Sequence, residues 1–133
     1  MNSYLVKIAS MTGAEELCEL AFVRNASVEM TVKSQRFGTM SFIDDNWFGA
    51  LSKFRLKIEQ DGFLLLCNAA RKDAYPSRMV LEMGGGRKIY LLTAGMPTRR
   101  EDLVDVLGAA SIDQVTTVAD QQVGYENWLR SLK

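Results

Sequence analysis

Hydrophobic residues alternate with polar ones in the first third of the chain and then change to a helical spacing. Tyr4 to Ala9 (YLVKIA) reads as a first strand, ended by a Ser-Met-Thr-Gly stretch. Beyond it, Cys18, Leu20 and Phe22 fall at strand spacing, while Thr12 with Glu15 three residues on has the form of a helix capping box; the strand reading is preferred. Asn25 stands where a turn calls for a residue tolerant of positive φ, and Val28 to Lys33 alternates with β-branched enrichment, so residues 17–33 predict a hairpin. Arg36 to Ile43 reads as loop or a short edge strand around Gly38.

The period then changes. Trp47, Leu51, Phe54 and Ile58 recur at intervals of four, three and four, which predicts an amphipathic helix over residues 46–60 with Lys53, Lys57 and Gln60 turned outward. Asp44 and Asp45 are its expected N-cap, and Gly62 its stop. Phe63 to Asn68 is continuously apolar, as a strand covered on both faces would be, and Ile89 to Leu92 is a second run of strand length. Leu103, Val106 and Leu107, behind Pro97, Thr98 and Glu101, predict another helix with a capping box. Val115 to Val118 reads as extended, and Asp120 as the cap of a last helix that turns Val123, Trp128, Leu129 and Leu132 towards the body. The pattern predicts one domain, residues 1–133, of class α+β: a largely antiparallel sheet with about three helices packed on it.

Composition narrows what the chain can be. The 16 basic and 16 acidic residues balance, which argues against a wholesale nucleic-acid or membrane binder. The charge is nevertheless unevenly spread: residues 61–100 carry seven basic side chains against three acidic, and residues 101–133 six acidic against two basic. The chain has no histidine, and so lacks the commonest general base, the usual zinc ligand and every Ser-His or Cys-His pair. Cys18 and Cys67 sit in apolar surroundings without metal-ligand spacing and predict buried free thiols in a reducing compartment. With no apolar run of membrane-spanning length and no leader-like start, the expected location is the cytoplasm.

The densest candidate chemistry lies between the two apolar strands, in FLLLCNAARKDAYPSRMVLEMGGGRKIYLLT, residues 63–93. Arg71-Lys72-Asp73 followed by Ala74-Tyr75-Pro76-Ser77 is a loop signature, since proline pushes Tyr75 towards an extended backbone. Gly84-Gly85-Gly86 before Arg87-Lys88 has the composition of a phosphate cradle but lacks the spacing of one, and a glycine hairpin turn or bulge is the simpler expectation. On that simpler reading Arg87 and Lys88 are solvated edge-strand charges. A basic rim carrying Tyr75 and Tyr90, with Met79 and Met83 exposed nearby, also has the make-up of a recognition surface.

This central segment, with WFGALSKFRLKIEQDG before it and EDLVDVL after it, resembles a family of small bacterial proteins whose members read CNGxRxDVYPSGMxxxMGGGRKAYxL. The similarity covers residues 46–107; Arg78 stands where the pattern commonly has glycine, and Ala69 replaces another. The resemblance implies an immunity protein of a polymorphic or contact-dependent toxin system. Such a protein binds a toxin domain encoded by a neighbouring gene and performs no chemistry of its own. The neutral net charge departs from the acidic balance often found in inhibitors of basic nuclease toxins. The expected contact residues are Arg71, Lys72, Tyr75, Arg78, Arg87, Lys88 and Tyr90, with no metal and no cofactor. The alternative is a small enzyme or ligand-binding protein that recognises a phosphate-bearing molecule or RNA through Arg71, Lys72, Arg87, Lys88 and the glycine backbone.

Overall fold

The computed structural model describes residues 3–133 and has an α+β fold. The alternating first third forms an antiparallel meander of β1 (Ser3–Ser10), β2 (Glu15–Arg24), β3 (Val28–Ser34) and β4 (Gly38–Asp44). A short β5 (Phe63–Leu65) pairs with the far end of β1, giving the order β4-β3-β2-β1-β5. Alternation decides which face is buried. Val6, Ile8, Cys18, Leu20, Val28, Met30 and Val32 point into the core, while Leu5, Lys7, Leu17 and Lys33 face solvent. The segment around Gly38 is a full seven-residue edge strand. Asn25 does not adopt positive φ; its turn closes instead through its own N–H, which donates to the Ser27 carbonyl at 2.9 Å.

Helix α1 (Trp47–Glu59) lies across β3, β4 and β5 and buries Trp47, Leu51, Phe54 and Ile58 together with Ala50. Each fully buried side chain of this size contributes about 1.5–3 kcal/mol. The cap is Asn46 rather than Asp44 or Asp45: its Oδ1 accepts from Gly49 N–H at 2.8 Å. Asp44 is otherwise engaged, accepting from Asp45 N–H at 2.7 Å and pairing with Lys53 at 3.4 Å. Gly62, at φ +80°, ends the helix region as expected.

The second half builds a separate three-stranded antiparallel sheet, β6 (Ala74–Tyr75), β7 (Lys88–Leu91) and β8 (Leu103–Asp105), in the order β6-β7-β8. Ala74 and Ile89 on its inner side join the same hydrophobic cluster as the large sheet. The expected helix at Leu103 is instead a 3-10 turn, Arg100–Asp102, leading into β8. Leu103, Val106 and Leu107 match a helical period, but β7 offers an open edge and the ladder wins. The acid that closes the turn is Asp102, which accepts from Arg99 N–H at 2.9 Å, not Glu101.

The last helix, α3 (Val118–Ser131), is capped by Thr117, whose hydroxyl accepts from Asp120 N–H at 3.2 Å; Asp120 is not the cap. Val123, Leu129 and Leu132 do not face the body but are exposed. The packed face is Val118, Gln121, Tyr125 and Trp128, spaced three, four and three. Its centre is polar: Gln121 and Arg55 of α1 are each 1% exposed. Arg55 donates to the carbonyls of Ala69 (3.1 Å) and Thr116 (2.9 Å) and to Gln121 Oε1 (2.6 Å). Gln121 Nε2 in turn lies within 3.0 Å of the carbonyls of Ala69, Arg71 and Ala74. Burial pulls the Arg55 guanidinium below its ordinary pKa, an effect opposed by the nearby Glu59 carboxylate. The node ties α1, α3 and the start of the central segment together where a hydrophobic contact could not satisfy the carbonyls of Ala69, Arg71, Ala74 and Thr116.

Candidate functional site

The central segment is more ordered than its composition implies. Tyr75-Pro76-Ser77 is extended, and Ser77 then caps a short helix, α2 (Arg78–Met83), its hydroxyl accepting from Val80 N–H at 3.1 Å. No side chain of α2 is buried; Met79 and Met83 are 67% and 83% exposed. Val80 and Leu81 are half-buried, and hydrogen bonds fix the helix at its two ends.

The three glycines form neither a hairpin turn nor a bulge. They are the C-terminal turn of α2, and they dock it on the N-terminus of α1. The Gly84 and Gly86 N–H groups both donate to the Val80 carbonyl at 3.1 Å, and the Gly85 carbonyl accepts from Trp47 N–H at 2.8 Å. Gly85 and Gly86 lie at φ +68° and +70°, and a Cβ on Gly86 would come within 2.8 Å of Asn46 Oδ1 and 3.0 Å of Phe48 N. Only glycine allows both the backbone and the close approach. A phosphate arriving here would find the turn's Gly84 and Gly86 amides already donating, so it would meet side chains and not a backbone cradle.

From this turn the chain enters β7, and Arg87 reaches back over α1. Its guanidinium lies 4.5 Å from the centre of the Trp47 ring, whose other face stacks on Phe22 at 3.7 Å with the planes 2° apart. Tyr4 meets both rings edge-on, at 5.7 Å from Trp47 and 6.0 Å from Phe22. Trp47 and Arg87 border both of two open clefts and separate them. One, of about 580 Å³, is bounded by Tyr4, Lys88 and Asp105. The other, of about 310 Å³, is bounded by Arg24, Glu82, Met83 and Gly85.

Of the seven expected contact residues, five separate into two groups. Arg87 and Lys88 belong to this clefted face, but β7 is the middle strand of its sheet, so they are not edge-strand charges. Lys88 pairs with Asp105 across the ladder at 2.8 Å. Arg71, Lys72 and Tyr75 gather instead near α3. Arg71 grips Asp73 with two hydrogen bonds of 2.8 Å, which raise the arginine's pKa and lower that of the carboxyl. Tyr75 stacks on Tyr125 at 4.2 Å, meets Phe48 edge-on at 5.8 Å and donates its hydroxyl to Gln122; burial pushes its pKa up. Tyr90 is half-buried and faces Tyr75 across the β6–β7 pair, which links the two groups. Lys72 is exposed, and so is Arg78 in the first turn of α2.

Sequence reasoning missed Tyr4, Phe22 and Arg24, which the hairpin brings to the same end of the sheet as Trp47. Their strand spacing gave no sign of a site, because the partner that makes them one, Arg87, is more than sixty residues away. Cys18 and Cys67 are buried free thiols, and burial pushes each up to about 11. Among the described residues no group of three His, Cys, Asp or Glu side chains could hold a metal ion, and no helix is long and apolar enough to cross a membrane. No family model matches the chain, and no curated protein matches it.

Proposed function

We propose that the chain is a non-catalytic binding protein that neutralises a toxin domain encoded by a neighbouring gene, acting in the cytoplasm. One observation carries the binding part of this reading: α2 has no fully buried side chain and leaves Met79 and Met83 exposed, with Met83 at the cleft bounded by Phe22, Trp47 and Arg87. Exposed methionines adapt to a partner's contours, and arginine is among the residues on which interface energy concentrates. A helix that contributes no side chain to the core has no packing reason for two methionines on its surface. The toxin part rests on the resemblance of residues 46–107 to the immunity-protein pattern, whose most specific stretch forms α2, the glycine turn and β7.

Co-expression with the product of the adjacent gene, co-purification and a growth-protection assay test the reading. The expected result is a stable complex and protection of the cell, with Met83→Asp and Arg87→Ala each weakening binding while leaving the thermal midpoint unchanged. If no neighbouring product binds, and the isolated protein instead binds phosphate-bearing ligands or RNA with an affinity that falls steeply as salt rises, the phosphate-recognition reading replaces this one.

A further inference from the structure

Arg87 is held in an unusual way for an exposed arginine. Its guanidinium carbon lies 4.5 Å from the centre of the Trp47 ring, and the side chain borders both clefts, with N–H donors free to reach a ligand in the smaller one. Neither Arg87 nor Arg24 on the opposite wall forms an ion pair with any described residue. Arg24 can lie over the glycine turn because Gly85 has no Cβ: one placed there would be 3.1 Å from the Arg24 Nη1. Two guanidiniums therefore face one cleft whose single acid is Glu82 and whose floor is Phe22, Trp47 and Met83.

We infer that this cleft is a receptor for one carboxylate side chain, an aspartate or glutamate on the toxin domain, which Arg87 and Arg24 clamp between them while the apolar floor takes its methylenes. The identity of the donor as a protein rests on the function proposed above; the carboxylate chemistry does not. Charge selects the ligand. Two arginines less Glu82 leave one positive charge, which a monoanionic carboxylate balances, whereas the successive phosphates of a nucleic acid would be opposed by Glu82. The stacked arginine is already in place before binding, so little side-chain freedom is lost when the bidentate pair forms. Lys88, in the other cleft, is occupied by Asp105 and takes no part.

Two arms test this. In the first, sodium acetate and inorganic phosphate are titrated at constant ionic strength into the isotopically labelled protein while the arginine Nε–Hε resonances are followed by NMR. Acetate should shift Arg87 and Arg24 saturably and leave Arg130 on α3 unmoved, with phosphate binding no more tightly. Uniform shifts of all arginines, no saturable shift, or a preference for phosphate would each overturn the assignment. In the second arm, binding to the co-purified neighbouring product is measured for Arg87→Lys and Arg24→Ala. Arg87→Lys keeps the charge but loses the planar fork, and should weaken binding at least tenfold. A complex that forms with unchanged affinity in both variants refutes the carboxylate clamp and leaves the proposed function standing. If no product binds at all, the proposed function fails, and the acetate arm alone decides the chemistry of the cleft.

Discussion

If the glycine triplet is there to seat α2 on α1, then a single methyl group at Gly86 should destabilise the fold, and by an amount that can be divided into two parts. The first part is conformational: an L-residue at φ +70° costs about 1–2 kcal/mol. The second is steric. The new Cβ would lie 2.8 Å from Asn46 Oδ1 and 3.0 Å from both Asn46 Cβ and Phe48 N. Two of these are backbone or backbone-proximal atoms of the capped first turn of α1, which cannot move aside without loosening the cap, and forced overpacking of this kind costs about 1–3 kcal/mol. Gly86→Ala is thus expected to lose about 2–5 kcal/mol, a large share of the 5–15 kcal/mol typical of a domain. Gly13 provides the control. It has φ +98° and nothing within 4 Å of its virtual Cβ, so Gly13→Ala carries the conformational cost alone. Urea unfolding followed by tryptophan fluorescence gives both values, and their difference should be about 1–3 kcal/mol. If Gly86→Ala is no more destabilising than Gly13→Ala, the turn does not press on α1, and the structural account of the triplet is wrong.

Three further predictions follow from the core. Phe54→Ala removes a fully buried ring and should cost about 3–5 kcal/mol in the same urea assay; a loss below about 1 kcal/mol would mean the stripe on α1 is not core. Gln121→Ala strips an acceptor from the buried Arg55 and the side-chain donor from the carbonyls of Arg71 and Ala74, and should cost about 3 kcal/mol or more, with a value under about 1 kcal/mol refuting the node. Cys18 and Cys67, with thiols raised from near 9 to about 11, should react with a thiol reagent slowly in the native state and fast when denatured. Because the folded-state pKa is the higher one, their contribution to stability is complete below about pH 9 and is lost as pH rises through about 11. A Cys18→Ala, Cys67→Ala double variant should therefore lose less stability than the parent between those limits; equal losses would show that the thiols do not titrate with unfolding.

Where one face of an element is purely apolar, it could be read from the chain. The stripe Trp47, Leu51, Phe54, Ile58 and the alternation of β1 to β3 are both of this kind. Where a polar residue occupies the centre of a buried face, apolar counting points to the wrong side. Arg55 stands four residues after Leu51 and three before Ile58, inside the stripe, yet its charge reads as surface. Gln121 does the same on α3, where of Val123, Trp128, Leu129 and Leu132 only Trp128 lies on the packed face, with Val118, Gln121 and Tyr125. Helix α2 escaped for a different reason: with no buried side chain it has no periodicity to detect, and Ser77 as its cap was the available signal. The clefted face was legible only in part. Arg87 and Lys88 could be singled out by charge, but nothing local connects them to Phe22 or Trp47, which reach them through the folding of the hairpin and the docking of the glycine turn.

On the proposed function, the chain binds its partner with α2 and the cleft beside it. Amide hydrogen exchange on the complex with the neighbouring gene product, compared with the free protein, tests this most directly, because it localises the interface without relying on any single substitution. New protection is expected in residues 78–91, in the first turn of α1 and at the Phe22–Arg24 end of β2, with the outward-facing strand positions around Leu5 and Leu17 unchanged. Protection confined to the open face of the five-stranded sheet, or to the outer side of α3, with residues 78–91 exchanging as in the free protein, would contradict it.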